Sequence, residues 1–457
     1  MPLDREARES HAQQLVPELA EQDVVGVATS YVDNSGIARV KTVPLDRLPH
    51  LAAWGVGTSS VFDRIRFDDW IAAPSDGSGP VGDLRMLPDL NRLVVLSAQP
   101  GWAWAPADRY DQQGEPHAQD SRLLLQQVTA RLADLGLTVK GAIEIEWVVS
   151  DGDGEEFRPG VHGPGYGLNR LIGLSDYSAD VLEALRQQGI AVEQFHPEYA
   201  PGQLEVAVAA EAPLSAADTS VLVRATIRAV GEAYGFRTSF SPKVAVPGVG
   251  NGGHVHLSLW KADENLMAGG DRPYGLTKDG ASFSAGILKR LPALLAIGAP
   301  SPASYLRLVP SHWAGDYACW GLENREAALR MVSGSTGSGR WAANMEVKCF
   351  DLLANPYLLF AALLATGSAG IAESAELPDP VDVDPAALDE STLDARGITR
   401  LPTTLREALD AFQAETVLTG AFGADLVASI VAVRESEIEL FADANEGQIA
   451  AAIRWSH

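Results

Sequence analysis

Polar and apolar positions along this chain switch between a helical period and a strand period at recognisable places. Residues 3–22 carry a helical pattern. The apolar run Val24 to Tyr31, the turn formers Asp33-Asn34-Ser35-Gly36 and a second run from Ile37 to Val43 then predict a β-hairpin. Shorter strands are predicted at Leu93 to Leu96 and Trp102 to Ala105. One helix against several short strands predicts a small α+β unit of about 110 residues. The polar stretch PADRYDQQGEPHAQDS, residues 106–121, has the composition of a linker. A helix follows from Ser121 to Leu135, with Gly136 as its stop. The division predicted is an N-terminal unit over residues 1–113 and a larger unit over 114–457.

In the larger unit strands and helices alternate. The run Gly141 to Ser150, GAIEIEWVVS, places Glu144, Glu146 and Val148 on one strand face and Ile143, Ile145 and Trp147 on the other. A helix over Ala179 to Gln188, strands at Ala191 to Phe195 and Leu204 to Ala210, and a helix over Ala216 to Tyr234 follow. The uncharged run Leu352 to Ala372 has the length of a membrane span, but Asn355-Pro356 and Gly367-Ser368-Ala369-Gly370 interrupt it. It reads as a buried helix capped by Asn355 with Pro356 in its first turn. The acidic, Ala-rich stretch Glu373 to Asp394 reads as an exposed connection, and the chain from Leu405 onward is helical in pattern.

Composition narrows the class. With 457 residues, 46% hydrophobic and 21% charged, the chain has a globular mix and the length for two or three domains. A net charge of -25 argues against a nucleic-acid or anionic-membrane surface, so a bound phosphate should arrive with a divalent cation. Two cysteines, Cys319 and Cys349, form neither a disulfide framework nor a metal-ligand spacing, which fits a reducing cytoplasm. The start MPLDREARESHAQQL lacks the basic and apolar regions of a signal peptide.

Three further segments repeat the polar-faced pattern around Glu144. HPEYAPGQLEV carries Glu198 and Glu205, GNGGHVHLSLW puts His254, His256 and Ser258 on one strand face, and NMEVKCFD does so with Glu346 and Lys348. Each alone fits an ordinary amphipathic strand. If the strands pair, the five glutamates meet, and two carboxylates about 4 Å apart repel by roughly 4 kcal/mol at an effective dielectric near 20. Cations must neutralise them. Oxygen-rich donors with imidazole and no thiolate select Mg²⁺ or Mn²⁺, and those ions favour phosphate ligands. Without a Walker A sequence, a nucleotide would be held by metals and by Arg307, Arg325 and Arg330, in YLRLVP and ENREAALR.

These motifs, with GDLRMLPDL at Gly82 to Leu90 and MEVKCFDLLANPYLLFAALLATG, resemble the type I glutamine synthetase family in order and spacing, and within it the γ-glutamyl-amine (monoamine or polyamine) ligase branch. The resemblance implies an α+β fold: a small β-grasp-like N-terminal domain, and a catalytic domain with a funnel-shaped, mostly antiparallel sheet flanked by helices. It also implies a homo-oligomer of stacked hexameric rings, a dodecamer, in which one subunit's N-terminal domain closes its neighbour's site. It makes Glu146, Glu198 and Glu205 ligands of one metal, and Glu144, His254 and Glu346 ligands of another. Glu193, His256, Ser258 and Arg330 become nucleotide contacts, Arg307 a glutamate-binding and catalytic arginine, and Arg325 the group that stabilises the transferred phosphoryl. Gly250, Lys348, Gly57, Ser60 and Trp313 are the further substrate-site positions.

The departures concern ammonium. Where ammonia-using members carry an aspartate and a flap glutamate, this chain has Gly57, in VGTSS, and Trp313, in VPSHWAG; Lys348 and Asn344 stand where arginines are expected. The favoured expectation is an ATP-dependent ligase joining the glutamate γ-carboxylate to an organic primary amine through a γ-glutamyl phosphate, a small monoamine such as ethanolamine ahead of a polyamine. An ordinary synthetase using other residues, such as Asp63 or Asp316, and a silent structural member of the fold are the alternatives.

Overall fold

The computed structural model describes residues 4–73 and 81–457. The first predicted helix is Arg5–Ala20, capped by the Asp4 carboxylate, which accepts the Ala7 N–H; residue 3, where that prediction began, lies outside the described residues. Six strands follow: β1 (Gly26–Val32), β2 (Ala38–Pro44), β3 (Val56–Ser59), β4 (Asp83–Pro88), β5 (Val94–Val95) and β6 (Trp102–Tyr110). They form a six-stranded sheet of order β2-β1-β6-β4-β3, with β5 also on β6. β1 and β6 run parallel at its centre and the other pairs are antiparallel, the β-grasp-like arrangement.

The predicted linker is corrected here, because its first five residues continue β6 to Tyr110. The charges at its two ends are paired and mostly buried, while Glu115 between them is exposed. Arg109 Nε donates to Asp120 Oδ2 at 2.9 Å, and its Nη1 donates to Asp63. Arg122 Nη1 donates to Asp108 Oδ1 at 2.8 Å. These pairs join the end of the small sheet to the helix Ser121–Asp134.

The second sheet has ten strands: β7 (Thr138–Asp151), β8 (Val192–Pro197), β9 (Gln203–Val208), β10 (Phe236–Ser239), β11 (Gly253–Lys261), β12 (Glu264–Asn265), β13 (Tyr317–Leu322), β14 (Ala327–Val332), β15 (Asn344–Val347) and β16 (Thr399–Arg400). Its main path is β16-β13-β14-β15-β11-β7-β9-β8, antiparallel except between β13 and β14. The apolar face of β7, with Ile143, Ile145 and Trp147 buried, joins the main core. The opposite face is left for the glutamates.

The helix Pro356–Glu373 anchors that core against Ser121–Asp134, Pro213–Ala233 and Lys278–Gly298. As predicted, Asn355 caps it, accepting the Tyr357 and Leu358 N–H groups. Its crossing with Lys278–Gly298 is close because both helices carry glycine there: a Cβ on Gly286 would sit 2.6 Å from Gly370 Cα. Both helices are long and apolar enough to cross a membrane, yet 89% and 67% of their most apolar windows are buried inside the fold. The stretch after Glu373 is only partly an exposed connection, since Val381 is buried and Glu390–Ala395 is helical.

Candidate active site

Strand register gathers the predicted metal ligands. Glu144 lies opposite His254, Glu146 opposite Glu205, and Glu346 opposite His256. His254 Nδ1 is 2.8 Å from Glu144 Oε1 and 3.4 Å from Glu346 Oε1. Ligand atoms of Glu144, His254 and Glu346 all lie within 4.8 Å of one another, so the structure brings this predicted set together. The other set is arranged differently: Glu198 and Glu205 gather with His196, while Glu146 and Glu205 gather with Glu144, each within the same 4.8 Å. Glu205 belongs to both groups.

His196 escaped the sequence reading, although it stands opposite Glu205 and its Nε2 is 3.2 Å from Glu205 Oε1. The available signal was its place on the same strand face as a ligand, two residues before Glu198. Tyr166 was missed as well. Its backbone is left-handed (φ 56°), its ring centroid is 5.9 Å from that of His196, and no periodicity marks it.

Charge is crowded here. Burial, then the neighbouring Glu198, pushes the Glu146 carboxyl up to about 7; burial, against His196 and with Glu144 and Glu146 adding to it, does the same for Glu205. Burial works against Glu346 too, but Lys348 and the two histidines outweigh it and hold its carboxyl down to about 2. Burial likewise opposes the charged forms of Glu144 and His256, but pairing with His254 and then His256 holds Glu144 well below the carboxylate range, and Glu144 with Glu346 lifts His256 to about 9. Burial and Lys348 lower His254. Converging carboxylates and imidazoles, two of the carboxyls disfavoured as bare anions, fit a pair of hard divalent cations.

A cavity of about 460 Å³ opens over the cluster. Arg307 forms part of its wall, fixed by donating to Lys348 O at 2.8 Å and Phe350 O at 2.7 Å. Gly250 sits against that arginine, where a Cβ would come within 2.6 Å of Arg307 Cγ. Arg325 also lines the cavity and is exposed; among the described residues its guanidinium has no hydrogen-bond or ion-pair partner. Trp313 lines it from the loop before β13 and is 54% exposed, which leaves its ring for a ligand. Lys348 is buried, with Nζ donating to Glu346 Oε1 at 3.2 Å.

Other predicted positions are less central. Arg330 Nη1 donates to Glu346 Oε2 at 3.0 Å, and His256 Nδ1 is 2.9 Å from Asn344 Oδ1. The Ser258 hydroxyl accepts the Trp260 indole N–H at 2.8 Å, and Glu193 is exposed at a register shift of edge strand β8. Gly57 and Ser60 belong to the small sheet's β3 and the turn after it; neither lines the cavity formed within this chain.

Residues 118–449 match the glutamine synthetase catalytic domain. The chain belongs to the glutamine synthetase family. It is 51% identical to the γ-glutamylpolyamine synthetase GlnA3 of Streptomyces coelicolor, over 100% of this chain and 99% of that protein. It is 33% identical to the glutamine synthetase of Halobacterium salinarum, over 75% and 76% of the two chains. Among solved structures, a glutamine synthase homologue superposes with a TM-score of 0.83 at 33% identity, covering 94% of this chain and 98% of the other. A GmaS–ADP complex gives 0.83 at 27% identity, covering 94% and 97%. Membership makes the chain a glutamate–amine ligase, of a family whose enzymes use ATP and divalent metal ions.

Proposed function

We propose that this ligase joins the γ-carboxylate of glutamate to a polyamine, with ATP activating the carboxylate as γ-glutamyl phosphate. The observation that carries the reading is the full-length similarity to a γ-glutamylpolyamine synthetase. A small monoamine ranked first in the sequence because its motifs showed no extra carboxylates at the entrance. In the fold two carboxylates lie behind the loop that walls the cavity and hydrogen-bond to it: Glu326 accepts the Trp313 N–H at 2.8 Å, and Asp384 accepts the Ser311 hydroxyl at 2.7 Å. The chain's net charge of -25 favours a multiply charged amine, and the faces of Trp313 and Tyr166 suit an ammonium group through cation–π attraction of about 0.5–2 kcal/mol.

In this reading Glu144, His254 and Glu346 hold one divalent ion, and Glu146, Glu198 and Glu205 the other, with His196 beside them. When bound, such ions neutralise charge on the transferred phosphoryl group. Arg325, which lines the same cavity, stabilises that charge too, and Arg307 with Gly250 orients glutamate. Glu193, His256, Ser258 and Arg330 face the nucleotide. The amine nitrogen then attacks the acyl phosphate and expels phosphate, a better leaving group than the oxide of a free carboxylate. Asp63, considered for an ammonium site, is already engaged by Arg109 and by His117, whose Nε2 is 2.7 Å from Asp63 Oδ2.

The test is phosphate release from ATP and glutamate with spermidine, putrescine, ethanolamine, ethylamine and ammonium in turn. The expected order of kcat/KM places a polyamine first and ammonium last. A higher value for ammonium than for every organic amine would replace this reading with an ordinary synthetase, and no release with any would favour the silent member.

A further inference from the structure

The loop that carries Trp313 over the cavity is held by a closed circuit of hydrogen bonds that no motif announces. Ser311 and Trp313 both have left-handed backbones, φ 58° and 57°, a conformation that side-chain-bearing residues keep only when their surroundings impose it. The Trp313 N–H donates to Glu326 Oε1 at 2.8 Å, and the Glu326 N–H donates to Asn324 Oδ1 at 3.0 Å. Asn324 Nδ2 then donates to Val381 O at 2.9 Å and Val383 O at 3.0 Å. From the same segment Asp384 accepts the Ser311 hydroxyl at 2.7 Å, which returns the circuit to the loop.

Its frame is rigid. Val381 is 1% exposed and its N–H donates to Trp320 O of β13 at 2.8 Å. Glu326 is 8% exposed, and among the described residues its second oxygen has no hydrogen-bond partner. A buried carboxylate with one oxygen unpaired is costly, and among the described residues the one hydrogen bond its other oxygen accepts is from the Trp313 N–H. Glu326 also follows Arg325 directly in the chain, so one short turn presents the arginine to the cavity and grips the Trp313 loop.

Resting on the proposal that Trp313 walls the amine end of the cavity, we infer that Glu326 is a positioning residue for amine selection. By holding Trp313 through its backbone, with Ser311–Asp384 as the second point of the clamp, it sets the shape of the amine pocket. It leaves the glutamate and nucleotide ends alone, whose walls are Arg307 and the strand-borne ligands.

Steady-state kinetics of the full-length enzyme decide this, with spermidine as the varied amine, then ATP and glutamate varied in turn. Glu326→Ala is expected to raise the amine KM about tenfold or more, since small displacements of positioning groups have effects of that order, with the ATP and glutamate KM values within about twofold of wild type. Glu326→Gln keeps an oxygen for the Trp313 N–H and should restore near wild-type amine KM. Ser311→Ala, an exposed site, should shift the amine KM in the same direction by less. An unchanged amine KM in Glu326→Ala, a parallel rise in all three constants, or a Gln variant as impaired as the Ala variant would each overturn the inference. If Glu326→Ala does not accumulate folded, Ser311→Ala decides alone, and an unchanged amine KM overturns it. Should wild type use ammonium and no organic amine, the polyamine reading falls separately, and the same comparison run with ammonium still judges Glu326.

Discussion

The carboxyls of Glu146 and Glu205 hold their protons to about 7 in the folded chain without metal, whereas an unfolded chain releases them near the ordinary carboxylate value of roughly 4.3. Between those values the folded state binds more protons than the unfolded one, so stability falls as pH rises. Against burial, Glu144 and Glu346 lift His256 to about 9, and hydrogen bonding to Glu205 raises His196 to about 9, so these two lose their stabilising charge at higher pH and act in the same direction. Metal binding needs the deprotonated ligands and reverses the trend. The melting temperature of chelator-treated protein should therefore drop from about pH 5 to about pH 9, while saturating Mn²⁺ flattens or inverts the slope. Differential scanning fluorimetry with and without Mn²⁺ measures this, and a metal-insensitive slope would contradict the cluster's role. Glu146→Ala and Glu346→Ala should each abolish phosphate release while keeping the far-ultraviolet circular dichroism of wild type. Residues of this kind were legible in sequence because ligands on strands repeat every second position. His196 was passed over as one histidine among turn residues, and Tyr166, set by a left-handed loop, left no periodic trace. Glu326 carried no signal of its own in the sequence, and only its hydrogen bond from the Trp313 N–H singles it out.

At the scale of elements, the helix Pro356–Glu373 shows what sequence can specify. Its cap, its proline and its apolar run were all visible, and the structure keeps them. What was not visible is that Asn355 also ties the two units together: its Nδ2 donates to Val32 O at 3.0 Å, Asp33 O at 3.1 Å and Ser121 Oγ at 3.1 Å. Asn355→Ala removes a buried cap and the amide that joins these three groups, although Asp33 O keeps the Gly36 N–H and Val32 O keeps the Ser121 hydroxyl, so a loss of about 2–4 kcal/mol is expected. Chemical denaturation should show it as a lower midpoint, with little change in the amine KM of the remaining folded enzyme. The strand β6 failed in the opposite way. Asp108, Arg109 and Asp120 read as a solvated linker because composition cannot tell a charged loop from charges that bury one another. Of the three two-residue strands, β5 falls inside the predicted run Leu93 to Leu96, whereas β12 and β16 lie below the length at which alternation carries any signal.

For the whole molecule the informative residue is Gly57. A Cβ built there would meet only Arg85 Nη1, at 4.0 Å, so the local fold does not require glycine. Nor does Gly57 line the cavity of its own chain, whose wall among the described residues runs from Glu144 to Lys348. A substrate-site role for Gly57 then requires a second copy of the chain to bring it there, as the resemblance to ring-forming relatives implied. Heterologous contacts of that kind divide each site between two subunits. The arrangement predicts complementation. Glu346→Ala loses a metal ligand and Gly57→Trp would fill the amine end, so each variant alone should be close to inactive. In an assembly formed from equal amounts of both by co-expression, a site that draws its metal ligands from the Gly57→Trp chain and its glycine from the Glu346→Ala chain is intact. Random mixing makes roughly a quarter of the sites intact in this way, and phosphate release should recover to about that fraction of wild type. Separately purified variants, mixed without subunit exchange, should stay inactive. If co-assembled variants, shown to share one oligomer, recover nothing, each site is complete within its own chain, and a Gly57→Trp enzyme that is active by itself would show that Gly57 has no part in it.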